Sequence, residues 1–191
     1  MPKRTLLAFA ALLATPLPAF AHFNPAEHGS LLAGLSHPLT GLDHIVVMLL
    51  VGVWAATFRG AGRLVIPAAF LVMMLAGFAL AMAGVSLPFV EPTILASVVA
   101  IGLLVALAVR VPSLAAVAIV GIFAVFHGHA HGSELGAAGA LSFACGFAAA
   151  TAALHGAGLW LGSQAVRHAR PIAIRAVGWA GAATGLLLFA A

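Results

Sequence analysis

Two histidine-rich constellations stand out in a chain that is otherwise nearly devoid of ionisable groups. The first runs His37-Pro38-Leu39-Thr40-Gly41-Leu42-Asp43-His44, and the second Phe126-His127-Gly128-His129-Ala130-His131-Gly132-Ser133-Glu134. Both fall within or at the end of long apolar runs, where an ionisable side chain is costly and by default marks function. Asp43 is the sharpest case. The arginines lie at the far ends of the apolar runs, so its carboxylate must be met by a proton, a histidine or a metal ion. On an unbroken helix His37 and His44, seven positions apart, share a face with Asp43 beside them. Pro38 and Gly41 loosen that helix and free backbone carbonyls as further ligands. In the second motif His127 and His131 are four residues apart and Glu134 follows three later, so these three stack on one helical face and His129 points away. Two imidazoles at that spacing can grip one ion. Imidazole with carboxylate suits nickel, cobalt, zinc or copper over calcium or magnesium. The single cysteine, Cys145, excludes a thiolate cluster, and methionines placed away from both motifs argue against Cu(I). Because histidine binds metal in its neutral form, affinity should fall as pH drops toward ~6.5.

The elements that must position these residues are membrane helices. The chain is 64% hydrophobic and 6% charged, against about 25% charged in a soluble domain, and its mean hydropathy is +1.20. A water-soluble fold is excluded. The net charge of +4 reflects topology, not nucleic-acid binding. Neither a Walker-type loop nor a Gly-rich dinucleotide turn is present, so no nucleotide is expected as a partner. Residues 1–21 read as a cleavable signal peptide: basic Lys3 and Arg4, an apolar core, Pro16 and Pro18, then Ala19-Phe20-Ala21. The mature chain, 22–191, then begins at His22.

Six apolar segments follow, at 31–58, 64–83, 92–110, 113–131, 137–162 and 172–190, each near the ~20 residues a helix needs to cross a bilayer. The expectation is an all-α integral membrane bundle of six transmembrane helices after the signal peptide. All six basic residues beyond the signal peptide fall after the first, third and fifth segments. By the positive-inside rule those ends are cytoplasmic. This gives a multi-pass membrane protein whose N-terminus faces outward, and puts Glu27, Glu91 and Glu134 on the outer side. Small-residue pairs such as Gly181 and Gly185 read as helix-packing contacts.

Depth along the helices joins the two motifs. His44 lies 14 residues from Phe58, and His127 lies 14 from Ser113. At ~1.5 Å per residue both are roughly 21 Å above the same edge. A site between the first and fourth spans can therefore be built from Asp43, His44 and His127, with His37 and His131 as an outer step. His22, offering an α-amine and an imidazole, could form an entry site with Glu27 and His28. His155 reads either as a lower relay or as a packed core histidine, His168 as solvated, and Cys145 as core.

These residues resemble those of the HupE/UreJ family of nickel/cobalt permeases. That family carries a first-span motif H-P-x-x-G-x-D-H and a fourth-span motif F-H-G-x-A-H-G-x-E, both complete here. The resemblance implies uptake of nickel, or cobalt, for hydrogenase or urease maturation. It also implies functional roles for His37, Asp43, His44, His127, His131 and Glu134, with His22 added as a candidate ligand. His129 occupies a variable position of the motif and receives no role. The classical nickel/cobalt transporters match only in part, since five residues, not four, separate His37 from Asp43. The resemblance implies no permanently bound cofactor, with the divalent ion as transported substrate and the lipid bilayer as partner; a homo-oligomer is left open. The competing reading is a membrane enzyme using the same histidines to hold metals or haem.

Overall fold

A computed structural model of the protein describes residues 30–135 and 139–191. The expected signal peptide, His22, Glu27 and His28 lie outside them. Among the described residues the secondary structure is helical throughout. Helix α1 spans Leu31–Ser36 and runs into a 3-10 turn, His37–Leu39. Then follow α2 (Leu42–Ala56), α3 (Gly62–Met82), α4 (Val90–Ala106), α5 (Ser113–Leu135), α6 (Ala140–Arg167) and α7 (Pro171–Ala190).

The expectation of six full spans is met only in part. Four helices, α3, α5, α6 and α7, are long and apolar enough to cross a membrane. The first expected span is broken: α1 and α2 pass the same test only as a pair, bent by 83°. The cause is local. Pro38 lacks the N–H that would continue the helix, and Gly41 adopts an extended conformation (φ −101°, ψ 122°) as the N-cap of α2. The third expected span shortens to the 17 residues of α4, about 26 Å against a hydrocarbon core of ~30 Å. Its ends are set by left-handed residues, Phe89 (φ 57°) before it and Ala108 (φ 52°) just after.

The core is largely apolar, yet large apolar side chains also cover the outside and several polar ones lie inside. Leu32, Leu114, Leu141, Ile172 and Leu187 are each more than 70% exposed, while His44, Ser97, His127, His131, Thr151 and His155 are buried. Apolar side chains outside and polar ones inside are what lipid as solvent selects. Cys145, expected in the core, is exposed on the outer face of α6. Both faces of α6 are apolar, so hydrophobicity did not distinguish its lipid-facing side.

Glycines set the closest helix approaches. A Cβ on Gly128 of α5 would lie 1.7 Å from the Met74 carbonyl oxygen of α3, and one on Gly77 of α3 would lie 2.0 Å from that of Val125. A Cβ on Gly146 of α6 would sit 2.2 Å from the Leu31 carbonyl oxygen of α1. These contacts press α5 onto α3 and α1 onto α6. Gly181 and Gly185 face Leu50 and Val99, the packing role expected for them. The arginines Arg59, Arg63, Arg110, Arg167, Arg170 and Arg175 all fall at one end of the bundle. His37, Asp43, His44, Glu91 and His131 fall at the other.

Candidate metal site

The site is assembled where the break in the first span meets the upper half of α5. Ending one helix and starting another places Asp43 in the first turn of α2, where unpaired backbone N–H groups and the helix dipole favour a negative charge. Asp43 Oδ1 accepts hydrogen bonds from the His44 backbone N–H at 2.8 Å and from His44 Nδ1 at 2.9 Å. The carboxylate thereby fixes the imidazole in one tautomer, with its Nε2 lone pair directed into the bundle. His44 Nε2 lies 2.7 Å from His131 Nε2, and His131 Nδ1 lies 2.8 Å from His37 Nε2. One consistent assignment of protons makes all three rings neutral: His37 donates to His131, His131 donates to His44, and His44 donates to Asp43.

One turn deeper on α5, His127 is fully buried, and its ring packs edge-on against that of His44 with centroids 4.9 Å apart. The hydroxyl of Ser97 on α4 donates to the Ile94 carbonyl, so it receives the His127 Nε2–H at 3.0 Å. That leaves His127 Nδ1 with a lone pair and no partner in a buried position. Phe147 of α6 closes the side of the cluster, its ring 4.7 Å from that of His131. On the far side of His127 the Phe70 ring, 5.6 Å away, separates it from His155, whose ring lies 5.0 Å from Phe70. Both nitrogens of His155 are buried without a partner.

Asp43, His37, His44, His127 and His131 are thus brought together, but not by the route expected. His37 and His44 do not share a face of one straight helix, because the 83° bend intervenes. They meet because His131, from a different helix, reaches both. The expected equal depth of His44 and His127 is observed as ring contact. Glu134 belongs to the last turn of α5, one turn beyond His131. His129 turns away, as expected, and its Nε2–H donates to the Val85 carbonyl at 2.7 Å, tying α5 to the loop after α3. His168 is exposed and bonds the Gln164 carbonyl through its Nδ1. Ser97 was missed: nothing in a single apolar segment tells which hydroxyl meets an imidazole on another helix.

Among the described residues, no three His, Cys, Asp or Glu side chains yet converge on one point as a metal cage. Within the relay the nitrogens of His37, His131 and His44 bond one another instead, whereas His127 Nδ1 beside them has no partner.

A family model described as HupE / UreJ protein matches residues 10–188. The chain belongs to the HupE/UreJ family. Protein HupE of Rhizobium leguminosarum bv. viciae is 42% identical to it over 179 residues, covering 93% of this chain and 94% of that protein. No solved structure matches it. In this HupE/UreJ chain the two histidine-rich segments are brought together by the fold, the first around the broken span and the second on α5.

Proposed function

We propose that the protein is a permease for nickel, or cobalt, and carries the ion inward across a bacterial inner membrane to supply hydrogenase or urease maturation. The observation that carries this reading is the relay from His37 through His131 and His44 to Asp43, with His127 packed on His44, inside an apolar bundle. Three neutral imidazoles and a carboxylate suit a late first-row divalent ion. They can exchange a ring-to-ring hydrogen bond for a metal bond without releasing a proton.

The basic end faces the cytoplasm by the positive-inside rule, so the histidine end receives the ion. Glu134 and His22 serve capture, and His37 with His131 forms the first step. Asp43, His44 and His127 take the partly dehydrated ion, and His155 accepts it beyond Phe70. Two charges moving inward gain about 4.6 kcal/mol per 100 mV of inside-negative potential, enough to drive uptake without nucleotide hydrolysis.

The haem and enzyme readings find less support. Nitrogen-to-nitrogen distances of 2.7 and 2.8 Å between rings leave no slot for a porphyrin. A hydrolytic or oxidising centre would need a substrate cleft, whereas a cavity of about 640 Å³ opens at the opposite, basic end.

Cells expressing the chain should accumulate radiolabelled nickel well above vector controls. Cobalt should compete better than zinc, and collapse of the membrane potential should abolish accumulation. Nickel levels equal to the control would remove the permease reading.

A further inference from the structure

The basic end of the bundle holds a second site whose chemistry is opposite to that of the histidines. The cavity of about 640 Å³ lies between the end of α2, the end of α4 and the start of α7, and Arg59, Arg110 and Arg175 line it, one from each segment. Trp54 also lines it; this side chain is 1% exposed, and its indole Nε1–H has no hydrogen-bond partner. Arg175 Nε donates to the Ala106 carbonyl at 2.9 Å. That bond anchors the guanidinium at the cavity and leaves its terminal NH2 groups for another acceptor.

No carboxylate of the described residues can be that acceptor. Asp43, Glu91 and Glu134 are all carried at the opposite end. Three guanidinium groups without a counter-charge attract an anion and repel a divalent cation, so the cavity is not a continuation of the metal route. Two of its lining residues, Leu104 and Val109, also line an apolar groove of about 380 Å³ between α4 and α5. The groove is walled by side chains such as Leu107, Ile122 and Phe123.

We propose that this cavity binds an anionic phospholipid, with its phosphate held by Arg59, Arg110 and Arg175 and one acyl chain laid along the α4–α5 groove. Guanidinium forks match phosphate geometry in a bidentate manner. Basic pockets between membrane helices on the cytoplasmic side are where anionic headgroups concentrate. The groove selects a lipid over free phosphate, because only a lipid fills both halves. The proposal is independent of what the histidines carry.

Thermal unfolding of the full chain in detergent tests it, with phosphatidylglycerol, phosphatidylethanolamine of the same acyl chains, and inorganic phosphate as separate additions. Phosphatidylglycerol should raise Tm by roughly 5–10 °C at about a hundredfold excess over its Kd. Phosphatidylethanolamine and inorganic phosphate should leave Tm within error, and native mass spectrometry should show phosphatidylglycerol retained on the chain. The pair Arg59→Gln with Arg110→Gln should lose the shift. The pair Arg63→Gln with Arg167→Gln, also at the basic end but outside the cavity, should keep it. Ile122→Trp, at an exposed position in the groove, should weaken retention without touching an arginine.

Equal shifts with both lipids would overturn the proposal. So would an equal shift with inorganic phosphate, which would mark a site for the free anion. Loss of the shift in the Arg63 and Arg167 pair would reduce the effect to diffuse surface charge and also defeat the assignment.

Discussion

Replacing His131 with alanine should lower the rate of nickel uptake by about 100-fold or more, the largest effect of any single side chain in the cluster. The His131 ring bonds both halves of the broken first span, through His37 at 2.8 Å and His44 at 2.7 Å. Its removal takes away a candidate ligand and also the contact that keeps the His44 Nε2 lone pair turned inward. Loss of an outer partner alone costs 10–100-fold in metal affinity at characterised sites; loss of a ligand adds to that. His131→Gln separates the two contributions. Glutamine can restore hydrogen bonds to neighbouring rings but is a poor nickel ligand. The variant should therefore recover stability in detergent while uptake stays low. Recovery of uptake as well would mean that His131 only holds the helices together.

The second large effect is expected at a residue without a side chain. Gly128→Val should drop Tm by more than roughly 5 °C and abolish uptake with it. Even the first carbon of a new side chain would lie 1.7 Å from the Met74 carbonyl oxygen and 2.6 Å from its carbon. Neither is a flexible group, so α5 must move off α3. Overpacking a tight interior typically costs 1–3 kcal/mol and more when backbone is displaced. His127 and His131 ride on α5 and would leave His44. The control is Gly156→Ala on α6, where a Cβ would meet nothing within 4 Å. That change should leave uptake unaltered and stability unchanged or up to ~1 kcal/mol higher, as expected for alanine in a helix interior. A stable Gly128→Val protein with normal uptake would show that the close approach of α3 and α5 is not what positions the histidines.

The residues at the centre of this arrangement were legible in the sequence because they are exceptions. Asp43 and the histidines are costly in an apolar environment, and their spacing narrowed the geometry: His127 and His131 one turn apart, His44 level with His127. What sequence did not supply was the third dimension. Pro38 and Gly41 signal a weakened helix, but not an 83° bend, since a proline can equally kink a helix slightly or end it. The reading of His37 and His44 as one face followed from assuming continuity, and the structure replaces it with a bridge from α5. Cys145 was misplaced for a different reason. In lipid the outside of a helix is as apolar as its inside, so burial is signalled by small residues at close contacts, such as Gly146 and Gly128, and not by hydrophobic periodicity. Ser97 illustrates the remainder: its importance rests on a contact 30 positions away in sequence.

The histidine cluster and the arginine cavity sit at opposite ends of the bundle, with opposite charge preference. If both are occupied in the membrane, an anionic lipid at the basic end neutralises charge that would otherwise repel a dication arriving at that side.

Nickel K-edge X-ray absorption on the purified, nickel-loaded protein is the most direct test of convergence between α2 and α5. The spectrum should show imidazole scattering from more than one ring, and that contribution should fall in His44→Ala and fall again in His131→Ala. A shell of oxygen donors alone, unaltered by either substitution, would contradict a shared site built from both helices.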